Sequence, residues 1–259
     1  MMATRADGPM SQRKFHELSV VERRYLSPGM VRLTFTGEEL AAFPSTGIGD
    51  EYVRLFFPDP ASGELVLPEI DDEGHWTFPA ERERVRFSTY TIRRFDAPAR
   101  ELDIDFVVHA GGMASDWACA AEPGAAIVIN SPRGLYEPPE ELSWQVLMAD
   151  ATGLPALARL IEQTPDHVAS QIFIEVADRS HEQSLPAHPR ATVSWIHGTG
   201  NGLCASTLDK QFAQVAMMDG NGYLWAAGEQ AAMRAVRRKA RKIPAFAGTR
   251  CKAIAYWIA

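Results

Sequence analysis

Four short stretches of this sequence combine residue types and spacings that can do chemistry. Arg86-Phe87-Ser88-Thr89-Tyr90-Thr91-Ile92-Arg93 sets a tyrosine beside a threonine hydroxyl among arginines; a phenol ring offers a flat apolar face with a polar tip. His109-Ala110-Gly111-Gly112-Met113-Ala114-Ser115 places a glycine pair before a short helix. Glycines admit close backbone approach, and the amides that open a helix attract anions. Leu147-Met148-Ala149-Asp150-Ala151-Thr152-Gly153-Leu154-Pro155 passes from an apolar strand through a turn into a helix. Thr152 is expected near its N-cap and Pro155 in its first turn. Nucleotides bind outside such carboxyl strand ends, although this is not a G-x-G-x-x-G fingerprint. A second strand end, Tyr223-Leu224-Trp225-Ala226-Ala227-Gly228-Glu229, closes on a carboxylate that can orient a ligand or cap the next helix. No residue is assigned as a catalytic acid, base or nucleophile, and no metal site is assigned. The three cysteines, Cys119, Cys204 and Cys251, lie far apart, which suits a reducing compartment better than a disulfide framework.

The elements that must position these residues fall into two textures. The first half reads as short strands at Phe15–Glu22, Met30–Thr36, Glu51–Phe57, Val85–Ile92, Glu101–His109 and Ala125–Asn130. In Met30–Thr36, for example, Val31, Leu33 and Phe35 alternate with Arg32, Thr34 and Thr36. Leu102, Ile104, Phe106 and Val108 are expected on one face, with Asp103, Asp105 and Val107 on the other. Many short strands with Gly/Pro punctuation and one helix at Ala114–Ala121 predict a barrel or sandwich. Beyond Pro138-Pro139, strands at Gln145–Ala149, Ser170–Ala177, Thr192–His197, Tyr223–Ala227 and Lys252–Ile258 alternate with helices at Leu154–Gln163, Ala205–Ala216 and Gln230–Arg241. That order predicts a parallel sheet covered by helices. The chain of 259 residues, 46% hydrophobic and 23% charged, accommodates both units. The expected division is a flexible tail at 1–13, a barrel domain at 14–138 and an α/β domain at 139–259.

Together the motifs resemble the siderophore-interacting protein family within the ferredoxin-reductase-like superfamily, over roughly residues 14–258. The tyrosine segment resembles that family's Arg-x-Tyr-Thr flavin motif, with Ser88 standing where the family has arginine. The Asp150 turn resembles its Gly-Asp-x-Thr-x-x-Pro-Ala signature, with Ala149 for the first glycine. Ser131-Pro132-Arg133-Gly134 resembles its Gly-Pro-x-Gly turn, Tyr223–Glu229 its Trp-x-Ala-Gly-Glu element, and Tyr256-Trp257 its C-terminal aromatic pair. The resemblance implies an N-terminal antiparallel flavin-binding β-barrel and a C-terminal nicotinamide-binding α/β domain. It implies non-covalent FAD held by Arg86, Ser88, Tyr90, Thr91, Ile92, Arg93, Asp105, Val107, His109, Gly112, Met113, Ala114, Ser115 and Thr152. NADH or NADPH would meet Asp150, Thr152, Ala227, Gly228 and Glu229. A ferric siderophore would meet Arg54 and Arg133, with Lys252 a third basic candidate.

The implied activity is ferric-siderophore reduction, with hydride passing to FAD and single electrons to Fe(III). Two alternatives stay open on the residues: a flavin reductase or electron-transfer flavoprotein with another acceptor, and a siderophore or nucleotide binder whose flavin site has decayed at Ser88. A ferredoxin is an alternative donor. The balance of 26 basic against 33 acidic residues, net −7, argues against nucleic-acid binding. The basic run Arg234–Lys242 reads as the carboxyl-terminal turns of a helix. Met1–Gln12 is polar and no stretch approaches the roughly 20 apolar residues of a membrane helix, so the chain is expected to stay in the cytoplasm without inserting in a membrane.

Overall fold

The structure is a computed structural model that describes residues 15–71, 75–80, 85–201 and 204–259; the expected tail at 1–13 lies outside them. The long strand β1 (Phe15–Ser27) runs past the expected Glu22 and turns at Pro28-Gly29 into β2 (Met30–Thr36). With β3 (Tyr52–Phe56), β6 (Phe87–Asp96), β7 (Glu101–Val107) and β8 (Ala126–Asn130) they close a barrel in the order β1-β2-β7-β6-β3-β8. Period-two patterning fills it: Val31, Leu33, Phe35, Val53, Leu55, Phe57, Leu102, Ile104 and Phe106 are all buried in one core. The helix α1 (Met113–Ala120) plugs one side, with Trp117 against Phe35, Phe57 and Phe106.

Asp103 and Asp105 do face away from the barrel core, yet they are buried rather than solvated. Arg32 grips Asp105 through two bonds of 2.6 and 2.8 Å, and Arg94 reaches Asp103 at 2.8 Å. Those bonds to Asp103 lead the causes that raise the Arg94 pKa. A two-stranded ribbon, β4 (Glu69–Ile70) with β5 (Trp76–Thr77), was not expected; it lays Trp76 on Phe15 and Phe56 outside the barrel.

The second unit is a five-stranded sheet of β9 (Trp144–Ala149), β10 (Ala169–Val176), β11 (Ala191–His197), β12 (Gly222–Glu229) and β13 (Cys251–Trp257), ordered β11-β10-β9-β12-β13. Each neighbouring pair is parallel. The order reverses between β9 and β12, the switch point where such sheets bind ligands. Helices α2 (Leu154–Gln163) and α4 (Gln230–Ala240) follow those two strands. The helix expected over 205–216 contracts to one turn, α3 (Leu208–Gln211), and a 3₁₀ turn over Phe212–Gln214. Leu208, Phe212 and Val215 still bury themselves at helical spacing, which is what the periodicity registered. The basic run sits in the last turns of α4, where Lys239 pairs with Asp209 and Arg237 donates to the Ala253 carbonyl.

The barrel and sheet are joined by buried polar contacts at the start of β3. Asp50 accepts from the Leu135 and Tyr136 amides, each at 2.8 Å, and from the Trp225 indole at 2.9 Å. Glu51 accepts from Arg159 of α2 at 3.3 Å, and Arg159 also reaches the Ile92 carbonyl at 2.7 Å. Removing Asp50 strands three donors in a buried joint, each costing about 1–3 kcal/mol. Asp50→Ala is therefore expected to lower unfolding stability by about 3 kcal/mol or more and to split a single urea transition in two, read by circular dichroism and tryptophan fluorescence.

Candidate functional site

The strand β6 alternates, so neighbouring motif residues face opposite ways. Tyr90 lies toward the barrel, its ring centroid 4.5 Å from that of Phe106, and it stays partly exposed. Burial pushes its phenol up to about 12, so it remains a neutral ring at physiological pH. Thr91 faces outward opposite Tyr52 of β3. Its Oγ1 is buried without a hydrogen-bond partner of good geometry. The nearby Tyr256 phenol has its pKa raised, first by burial, while Thr91 acts as a hydrogen-bonding neighbour in the opposite sense. A buried hydroxyl left in this condition costs about 1–3 kcal/mol unless a ligand pairs with it.

After β7, Gly112 is the N-cap of α1 and has no side chain to cap it. The amides of Met113, Ala114 and Ser115 are thereby left for an anion. A Cβ on Gly112 would run into the His109 imidazole, so the exposed histidine lies against bare backbone at the helix start. Ala114 and the Ser115 side chain are buried; Ser115 Oγ accepts from the His109 amide at 2.9 Å and fixes the turn. Arg86 donates from Nε to the Met113 sulfur at 3.3 Å. A flat partly open phenol and an uncapped helix start fit a flavin carrying phosphate.

Other expected flavin contacts have different occupations. Ile92 points into the core; its amide donates to Glu51 and its carbonyl accepts from Arg159. Arg93 clasps Glu162 of α2 through bonds of 3.2 and 2.7 Å. Asp105 belongs to Arg32, and Val107 packs against the core of the α/β unit. Ser88 is half-buried on the Tyr90 face.

Across the joint, Asp150 ends β9 and is fully buried. It accepts from the Thr152 amide and hydroxyl at 2.9 and 2.5 Å, the Glu229 amide at 3.0 Å and the Trp257 indole at 2.7 Å. Burial pushes its pKa up; the bonds from Thr152 and Trp257 act against that rise. Thr152 therefore binds Asp150, and Gly153 is the N-cap of α2 instead, with Pro155 in the first turn. Gly228 adopts φ +156° with its Cα against the Asp150 carboxylate, a position closed to larger residues. Ala227 is buried beneath it. Glu229 caps α4, accepting from the Ala231 and Ala232 amides at 2.8 and 2.9 Å.

The aromatic pair at the end of β13 thus spans both motifs, with Tyr256 by Thr91 and Trp257 on Asp150. Arg54 and Arg133 flank the same outer face. Arg54 sits over the Trp76 and Phe87 rings at 4.7 and 5.5 Å, and Arg133 pairs its backbone with Tyr52. Lys252 is not grouped with them. It lies near the amino end of β13, on the far edge from Asp150, and pairs with Glu137 at 3.1 Å. The sequence reading missed Asn201, whose side chain accepts from the Ala151 amide at 3.0 Å. Its signal was the Gly198-Thr199-Gly200-Asn201 turn that follows β11.

Comparison with known proteins follows these two units. A family profile described as "Siderophore-interacting FAD-binding domain" matches residues 19–136, and one described as "Siderophore-interacting protein" matches 142–259. The chain is 30% identical to the ferric vibriobactin reductase ViuB of Vibrio cholerae, covering 93% of this chain and 88% of that protein. It is 31% identical to the NADPH-dependent ferric-chelate reductase of Escherichia coli, covering 94% and 93%. The crystal structure of a siderophore utilization protein from T. fusca superposes with a TM-score of 0.85 at 37% identity, covering 95% and 94%.

The helix start gives a direct test of the anion site. Gly112→Val, which displaces His109 and covers the free amides, is expected to raise the flavin Kd at least about tenfold with helix content retained, as read by flavin fluorescence titration and circular dichroism.

Proposed function

The chain belongs to the siderophore-interacting protein family, and from that premise we propose that it is a ferric-siderophore reductase using non-covalent FAD and NAD(P)H. Its fold is ferredoxin-reductase-like. The observation that carries the reading is the joint between the units, where Arg159 of α2 holds the Ile92 carbonyl next to Thr91 while Trp257 holds Asp150, so that the tyrosine strand and the Asp150 turn lie on docked elements.

When bound, FAD supplies the conversion of a hydride donor's electron pair into single electrons for ferric iron. The protein's part is position. Tyr90 gives the flavin ring a flat neutral floor, and the backbone at Thr91 borders its edge. The amides of Met113 to Ser115, with His109 beside them, hold phosphate. Thr152 and the Gly228 backbone frame the nicotinamide, with Asp150 and Glu229 keeping those turns rigid from beneath. Electron transfer to iron requires no side-chain acid or base. Arg54 and Arg133 attract an anionic ferric chelate to the outer barrel face. Fe(II) is softer and less charged than Fe(III), so oxygen-donor chelators hold it poorly and release it.

The donor is NADPH in preference to NADH. Arg179 follows β10, is exposed, and makes no ion pair among the described residues. Neither acid beside it is paired with it. Asp178 is held at a pKa of about 2, chiefly by Ser180 and then His181, and Glu182 meets His197 at 2.9 Å. An uncommitted arginine past the strand end suits a 2′-phosphate. The working place is the cell interior, where NADPH is available and where no disulfide is required.

Anaerobic reduction of a ferric catecholate by the FAD-loaded protein, with Fe(II) trapped by ferrozine, tests the function. Saturable NADPH-dependent Fe(II) formation is expected; reduction of free flavin alone, with the chelate untouched, overturns it in favour of a flavin reductase. Arg179→Ala is expected to raise KM for NADPH about tenfold while leaving that for NADH unchanged.

A further inference from the structure

The flavin strand lacks a cation at position 88, and the structure brings one to the phosphate end from two residues earlier. Arg86, Ser88 and Tyr90 succeed one another on one face of the strand. Of the arginines near the motif, Arg93 is spent on Glu162 through both terminal nitrogens, and Arg94 is spent on Asp103 and Glu101. Arg86 differs. Its Nε touches the sulfur of Met113, the first residue of α1, at 3.3 Å. Its carboxylate neighbour, Asp59, stands 3.5 Å away, longer than a charge-assisted hydrogen bond. Asp59 is already served by the Ala61 and Ser62 amides at 3.0 and 2.9 Å and by the Ser62 hydroxyl at 3.1 Å. The guanidinium is thus half-buried, loosely held, and in contact with the side chain of the first residue of α1.

We propose that Arg86 clamps the diphosphate of FAD in place of the cation missing at Ser88, and that its position selects FAD over FMN. The inference rests on the flavin reading above. Along an extended strand residue 88 lies roughly 7 Å from Tyr90, and residue 86 roughly 13 Å. The nearer position suits the single phosphate that ends FMN. The farther one suits the second phosphate, which FAD alone carries, and there a planar fork and the α1 amides close on it together. Ser88 keeps only a hydroxyl for the first phosphate.

The test is equilibrium titration of apoprotein with FAD and with FMN, read by fluorescence. In Arg86→Ala the Kd for FAD is expected to rise about 10- to 100-fold, with the Kd for FMN unchanged. Arg86→Lys, which keeps charge without the fork, falls between and remains informative if the alanine variant does not fold. The double variant Arg86→Ala/Ser88→Arg recovers FAD affinity and tightens FMN. An unaltered FAD affinity in Arg86→Ala overturns the proposal, as does equal weakening of both flavins with a lowered Tm, which marks a purely structural arginine. Wild-type protein that takes up neither flavin contradicts the proposed function instead, so the two failures are distinct.

Discussion

Two adjacent carboxylates, Asp50 and Glu51, are buried where β3 begins; Glu51 is served locally by Ser45 and Thr46, and both carboxylates also reach into the α/β unit. A buried carboxylate must be hydrogen-bonded or paired, because desolvation otherwise makes it prohibitively costly. Asp50 finds its donors in the connecting segment and in Trp225 of the sheet, and Glu51 finds Arg159 of α2. The barrel and the α/β unit are thereby fixed in one relative position. That position places the outward face of β6 against the carboxyl edge of β9 and β13. Arg159 adds to it by holding the Ile92 carbonyl one residue beyond Thr91, so the same joint sets the height of the flavin strand.

Given that joint, the site follows from topology. The sheet order reverses between β9 and β12, and a parallel sheet exposes its strand-end amides and small residues there. Asp150 occupies the switch point, and its four donors come from its own turn, from the start of α4 and from β13. It acts as a keystone for three loops rather than as a reacting group. The barrel contributes the complementary half: a partly exposed phenol at Tyr90 and a helix start at Gly112 with no side-chain cap. Partly satisfied polar groups clustered at one interface are what a preorganised cofactor site looks like before its ligand is considered.

Much of this was legible in the sequence because it rests on local patterns. Period-two alternation marked the barrel strands, and apolar strands alternating with helices marked the parallel sheet. The glycine pair before α1 and the Asp150 turn declared themselves through composition at short range. What escaped depends on long-range pairing. Nothing near Asp50 or Glu51 signals partners some 85 to 175 residues away. Alternation put Asp103 and Asp105 on the outward face, but it could not show that Arg32 and Arg94 from neighbouring strands pair with them there. Lys252 was a basic residue in a plausible strand, and only its register shows that it lies at the amino end of β13, away from Asp150. Ile92 and Arg93 sit inside the flavin motif by sequence, and side-chain alternation sends one to the core and the other to α2.

The docked units are proposed to bring a nicotinamide directly to the flavin edge at Thr91. Stopped-flow reduction of the FAD-loaded protein, with NADPH carrying hydrogen or deuterium at the transferred C4 position, measures this most directly. The account predicts flavin bleaching in a single phase that saturates with NADPH and is slowed by deuterium. Bleaching that depends on added free flavin, or an FAD-loaded protein that neither nicotinamide reduces, would contradict it.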